Sequence, residues 1–274
     1  MACKERDRTG KTVVVIPARY SSSRLPGKPL ADIGGMPMIL HVCQRAKMIP
    51  EVETVAVATD HQEIFRTVEH AGFTAIMTSA DHVSGTDRVA EAAEMLCLDD
   101  GDMVVNIQGD QPLLETGPVR AMIEMLASVP DFHMTTAACP LEADDLNNPN
   151  RVKVVLDRRG GAIYFSRAPI PFDRDGVTGP VSSGVVEKGF PGYLRHLGLY
   201  AFRYGFLRTF VSLEQGILER IEMLEQLRAI ENGFSIGVAV VANAPVEVDT
   251  HDDLEAVRRK ISSELDCRHE APEK

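Results

Sequence analysis

Apolar positions in the first half of the chain follow two alternating rhythms. Short runs at 13–16 (Val-Val-Val-Ile), 55–58, 74–77 and 103–107 have the length and continuity of strands buried on both faces. The stretches between and after them, 36–48, 61–71, 86–98 and 116–128, predict helices. Strands alternating with helices of this length predict a parallel sheet covered on both sides, an α/β fold. Beyond residue 134 the rhythm changes. Strands are expected at 134–139, 152–156, 162–165 and 197–203 with less helix between them, which suggests antiparallel strands in a lid or second lobe. Residues 173–192 are rich in Gly, Pro and Ser and read as a long surface loop. The spacing of Leu218, Ile221, Leu224 and Leu227 predicts one amphipathic helix over 217–230. A strand at 236–241 and a helix from about 251 close the pattern. Residues 1–10 and those beyond 266 read as tails.

Composition narrows the chemistry. With 274 residues, 44% of them hydrophobic, the chain can build a substantial core. Its net charge of −11 repels polyanions, which disfavours broad contact with nucleic acid or anionic membrane. The five cysteines are scattered and form no CxxC pair, so neither a disulfide framework nor a zinc site is expected. A charged N-terminus without an apolar signal or spanning run fits a cytoplasmic protein.

Against that acidic background, Pro17-Ala-Arg-Tyr-Ser-Ser-Ser-Arg-Leu-Pro-Gly-Lys-Pro-Leu30 stands out. It follows the first strand, where an open parallel sheet opens its ligand crevice. Arg19, Arg24 and Lys28 gather here with three serines and no acid. Guanidinium forks, an ammonium and hydroxyl or N–H donors all suit phosphate oxygens. A solvated basic loop with turn prolines explains the same composition. Gly10-Lys11-Thr12 lacks the earlier glycine of a P-loop and precedes its strand, and no GxGxxG follows that strand.

The run PARYSSSRLPGKPL, with ATDH at 58–61, MTSADHVSGTDR at 77–88 and NIQGDQP at 106–112, resembles the CMP-KDO synthetases, where KDO is 3-deoxy-manno-octulosonate. VKVV at 152–155, YFSRAPIP at 164–171, RHLGLYAFR at 195–203, EMLEQLR at 222–228 and VDT at 248–250 continue the likeness in order, over roughly residues 12–260. The resemblance implies a Rossmann-like nucleotidyltransferase fold of the nucleotide-diphospho-sugar transferase type, mostly parallel, with an antiparallel lid or dimerisation lobe. Residues 1–274 would form one domain, comprising a nucleotide part (12–133), a sugar and dimer lobe (134–235), and a return strand with a C-terminal helix (236–266). It implies transfer of CMP from CTP to KDO, activating KDO for lipopolysaccharide biosynthesis, with Mg²⁺, in a homodimer. A cytidylyltransferase for 8-amino-KDO or a sialic-type acid, or a non-catalytic homologue, stays open.

Site residues follow from the same likeness. Arg19, Ser22, Arg24 and Lys28 would hold the CTP triphosphate, with Arg19, Lys28 and Asp110 catalytic. Thr78, Ser84, Gly85, Arg88 and Gln108 would complete the nucleotide site. Ser84 also fits a helix cap, which is compatible with binding. Asp110 and Asp249 are the implied Mg²⁺ ligands, although Asp110 also reads as a turn residue and Asp249 as a charge at a helix start. Gln111 stands where many members carry Glu. Arg167 would meet the sugar carboxylate, and His196, Tyr200, Glu225 and Gln226 the sugar hydroxyls. No dedicated general base is evident.

Overall fold

The computed structural model describes residues 10–21, 25–174 and 192–269. The expected loop at 173–192 falls almost wholly outside these residues, as do Ser22 and Arg24. Strand β1 (Thr12–Ala18) is buried along nearly its whole length, as its unbroken apolar run requires. A small hairpin follows, β2 (Asp32–Ile33) with β3 (Met36–Pro37), turned through Gly34 and Gly35 at φ 61° and 84°. Helix α1 (Met38–Lys47) leads to β4 (Thr54–Thr59), helix α2 (Gln62–His70) to β5 (Thr74–Met77), and α3 (Gly85–Met95) to β6 (Met103–Asn106). All four of these main strands run parallel, with β1 between β4 and β6.

Helix α4 (Thr116–Ser128) precedes β7 (Met134–Pro140). Strands β8 (Lys153–Leu156) and β9 (Ala162–Ser166) pair with each other, and β10 (Leu194–Arg203) enters the sheet antiparallel between β6 and β7. Strand β11 (Ile236–Val240) lies parallel to β7 at the edge. The sheet order is β11-β7-β10-β6-β1-β4-β5, with β8 and β9 branching from β10. Thus β7 and β10 do not stand apart in a lobe. They extend the central sheet, and only β8 and β9 form an antiparallel flap on it.

Alternation along β1 divides the core. Val14 and Ile16 face one layer with α1, α2 and α4, whereas Val13 and Val15 face the other with α3 and α5 (Tyr204–Ser212). Two elements depart from the sequence pattern. Helix α5 is anticipated by neither a side-chain cap nor strong helix formers. Tertiary contact supplies its stability: Phe206 and Phe210 pack with Phe202 and Phe234 at ring distances of 4.8–6.1 Å. The single helix expected over 217–230 is two: α6 (Ile217–Glu222) and α7 (Leu227–Glu231), split at Met223, whose φ of 53° is left-handed. Consistent with that split, Ile221 is exposed while Leu224 and Leu227 are buried.

Helix α8 (His251–His269) continues past residue 266, where a tail was expected. Leu254, Val257 and Ile261 pack on Leu25, Ile33 and Met38. This small third core draws the end of the chain onto the loop after β1, and that contact sets up the cleft described next. Among the described residues, no helix is long and apolar enough to cross a membrane.

Candidate functional site

A cleft of about 430 Å³ opens at the carboxyl ends of β1 and β6, lined by Arg19, Lys28, Gly85, Gln108, Asp110 and Asp249 among others. This is the crevice position expected of an open parallel sheet, and its size suits a small molecule. Local geometry fixes the cationic edge. Gly27 takes φ 68° and donates its N–H to Tyr20 O at 3.0 Å, so the chain reverses just before Lys28. Tyr20 in turn stacks on His61 at 4.1 Å.

Lys28 ties its own loop to two distant segments. Its ammonium donates to Asp110 Oδ2 at 2.8 Å, Val248 O at 2.9 Å and Asp249 Oδ1 at 3.3 Å. The partners lie 82 to 221 residues away in sequence, so only the packing of α8 and the end of β6 brings them together. Arg19 reaches across the cleft, donating to His82 O at 2.7 Å and Ser84 O at 3.0 Å. It thereby pins the loop that begins α3. Ser84 caps that helix: its hydroxyl accepts from Asp87 N at 3.0 Å, and Asp87 Oδ2 accepts from Ser84 N at 3.1 Å. The N-terminus of α3, with Gly85 on the cleft wall, therefore points partial positive charge into the space.

Among the described residues no group of three or more His, Cys, Asp or Glu side chains is arranged to hold a metal. Asp110 and Asp249 nonetheless fit Mg²⁺, which commonly takes one or two carboxylates and completes its shell with substrate phosphates and water. Both line the cleft and both lie within 3.3 Å of a single ammonium, so one cation already bridges them. Gln111 is fully buried beside this pair, with Nε2 3.5 Å from Glu247 Oε1, while Glu247 Oε2 accepts from Arg195 at 3.3 Å. Burial raises the Glu247 carboxyl above its ordinary range. Sequence reading missed Glu247, although its place two residues before Asp249 was a signal.

A second group of the expected residues forms a buried polar wall. Gln108 leads to it from the cleft, its amide 3.4 Å from Gly198 O at the irregularity in β10 between Leu197 and Tyr200. Behind lies His196, whose Nε2 is 2.9 Å from Thr136 Oγ1. That hydroxyl is 2.6 Å from Leu199 O, to which it donates, so it accepts from Nε2–H and leaves His196 Nδ1 as the acceptor. Burial, then the charge of Arg195, lowers the His196 pKa to about 3, and the ring is neutral. Tyr200 donates to Gln226 Oε1 at 3.1 Å, and Thr86 donates to Glu225 Oε2 at 2.8 Å. Gln226 Nε2 and Glu225 Oε1 are buried without a hydrogen-bond partner among the described residues. Unsatisfied buried donors and acceptors are costly, which makes this wall a candidate for contact with a polar ligand. Desolvation raises the Glu225 carboxyl. Thr86 and Thr136 carried no sequence signal, because a single threonine in a helix or strand is unremarkable.

Three expected residues are placed otherwise. Arg88 does not reach the cleft. Its side chain is wholly buried and donates to Thr78 Oγ1 at 2.5 Å and Asp60 Oδ2 at 2.7 Å, so Arg88 and Thr78 brace the sheet beneath α3. Arg167 is also turned away. Its Nε, Nη1 and Nη2 donate to the carbonyls of Glu222, Pro149 and Met223 at 2.7, 2.9 and 3.3 Å.

A mostly parallel sheet with a cationic loop after its first strand, two carboxylates and an adjoining polar wall defines a nucleotidyltransferase. Residues 13–236 match the family of cytidylyltransferases, and the chain belongs to that family. It is 51% identical over 251 residues to a 3-deoxy-manno-octulosonate cytidylyltransferase of Syntrophobacter fumaroxidans (strain DSM 10017 / MPOB), covering 90% of this chain and 95% of that protein. A solved CMP:2-keto-3-deoxy-manno-octonic acid synthetase complexed with CTP superposes with a TM-score of 0.84 at 40% identity, over 93% of this chain and all of the other. A cytidylyltransferase from Leptospira borgpetersenii serovar Hardjo-bovis (strain JB197) shares the fold, with a TM-score of 0.58 at 18% identity over 93% and 87% of the two chains.

Proposed function

We propose that this chain transfers the CMP moiety of CTP to KDO, releasing pyrophosphate. The observation that carries the reading is the Lys28 ammonium held between Asp110 and Asp249 on the cleft, with Arg19 beside it. Likeness to proteins named for this reaction supports it, as does the buried wall that presents Glu225 and Gln226 to a polyhydroxylated ligand.

In this mechanism Lys28 and Arg19 draw charge from the α-phosphate and from the departing pyrophosphate. Asp110 and Asp249 would hold Mg²⁺, which would supply Lewis-acid polarisation at the phosphates. The wall orients the sugar so that its anomeric hydroxyl attacks the α-phosphorus in line. The new O–P bond forms as the bond to the β-phosphate bridging oxygen breaks, and the hydroxyl proton leaves to water or to the sugar's own carboxylate. Neutral His196, accepting through Nδ1, would take a hydrogen bond from a sugar hydroxyl. Homodimeric assembly, which rests on the sequence resemblance, and a cytoplasmic setting, which fits the scattered cysteines, belong to the same reading.

Purified protein with CTP, KDO and Mg²⁺ should release pyrophosphate, and omission of Mg²⁺ should abolish the release. Asp110→Ala and Asp249→Ala should each lower turnover by about 10²-fold or more. Normal Mg²⁺-dependent turnover in both variants would overturn the metal assignment. Parallel reactions with 8-amino-KDO and a sialic-type acid test the sugar, since a hydroxyl lost from a polar wall changes rate strongly.

A further inference from the structure

Glu225 and Gln226 do not lie on a regular helix. They belong to the link between α6 and α7 that begins at Met223, with φ 53° and ψ 49°. A non-glycine residue in this region needs its surroundings to hold it there. The Met223 side chain is 75% exposed, so its own packing does not do so. The restraint comes from β9. Arg167 Nε donates to Glu222 O at 2.7 Å and Nη2 to Met223 O at 3.3 Å, taking the carbonyls on both sides of the kink. Glu222 answers with its carboxylate, which accepts from Arg167 N at 2.9 Å and Ser166 Oγ at 2.6 Å. Buried Lys153 donates to Arg167 O at 2.6 Å and Arg151 O at 2.7 Å, so the backbone carrying the arginine is itself fixed.

We propose that Arg167 and Glu222 are positioning residues: a reciprocal clamp that holds the left-handed kink at Met223 and so aims Glu225 and Gln226 at the sugar acid. The inference rests on the proposed transfer to KDO. It assigns Arg167 an effect carried through Glu222 and the kink, whereas the sequence resemblance implied direct contact with the sugar carboxylate.

Two measurements test the clamp, and one needs no turnover. Amide hydrogen exchange on the full chain should quicken at residues 222–228 in Glu222→Ala and Met223→Val, by about tenfold, while β1 and α4 keep their protection. In steady-state kinetics both variants should raise KM for KDO about tenfold and leave KM for CTP within twofold. Met223→Gly, which tolerates positive φ, should stay closer to the parent than Met223→Val. Arg167→Ala combined with Glu222→Ala should be no worse than the poorer single variant, because both break one clamp. Should Glu222→Ala fail to fold, the exposed Met223 pair still decides. The clamp is overturned if exchange at 222–228 is unaltered, or if Arg167→Ala raises KM for KDO while Glu222→Ala and Met223→Val leave it unchanged. Failure of the parent protein to release pyrophosphate from CTP and KDO would instead overturn the proposed function, with the exchange data still deciding the clamp.

Discussion

Arg88 provides a sharp test of how tertiary structure reassigns a residue, because Arg88→Met removes the guanidinium while keeping most of the buried stem. The change leaves Asp60 without its cation and Thr78 without its donor. Breaking a buried ion pair on one side costs about 3–5 kcal/mol. Asp60 keeps 21% of its side-chain surface exposed, so water partly replaces the lost charge and the cost falls toward the lower end. Arg88 Nε–H is buried with no hydrogen-bond partner among the described residues, and removing it recovers about 1 kcal/mol. The net loss is about 2–3 kcal/mol. For a chain of this size that lowers Tm by roughly 5–10 °C. Calorimetric melts of parent and variant read the shift, and titration of CTP into the folded variant at 15 °C reads nucleotide affinity, expected within threefold of the parent. A variant melting within about 2 °C of the parent yet binding CTP tenfold more weakly would refute the bracing role and return Arg88 to the nucleotide.

The buried neutral His196 makes stability depend on pH. Its folded pKa of about 3 lies below the unfolded value near 6.5, so between these values only the unfolded chain takes the proton. Its contribution is complete above pH 6.5 and is lost as pH falls, at up to about 1.4 kcal/mol per unit. Urea titrations from pH 7 to 4.5 should show a shallower slope for His196→Asn, and equal slopes would contradict the assignment. Gln111→Glu would set a second buried carboxylate against Glu247, where the amide now lies at 3.5 Å. One acid of that pair must hold a proton, so the variant should be about 2 kcal/mol less stable than the parent at pH 8, with the gap closing toward pH 5. Equal gaps at both pH values would show that the two side chains do not meet.

Much of the scaffold was legible locally. Val13–Ile16 could be read as a buried strand because an unbroken β-branched run suits a strand covered on both faces. The cationic loop was visible because Arg19 and Lys28 lie within ten residues of one another in an acidic chain, and Asp110 because it follows a buried strand after a short Gln-Gly link. Helix α5 was not legible, since its aromatics are stabilised by Phe202 and Phe234 and not by helix propensity.

Sequence alone therefore determined the alternation of strands and helices, the position of the cationic loop and the family likeness, all of which rest on neighbours along the chain. Tertiary structure decided which charges meet. Lys28 finds Asp249 only because α8 packs on the hairpin after that loop, and Arg88 turns inward because Asp60 and Thr78 lie beneath it. It also decided that residues 217–230 bend at Met223, which a 3.6-residue period does not reveal, since two short helices around a kink preserve the same apolar spacing. The physical reason is one of range: periodicity and turn chemistry act over a few residues, while the direction of a buried charge is set by whatever polar atom the rest of the fold places within hydrogen-bonding distance.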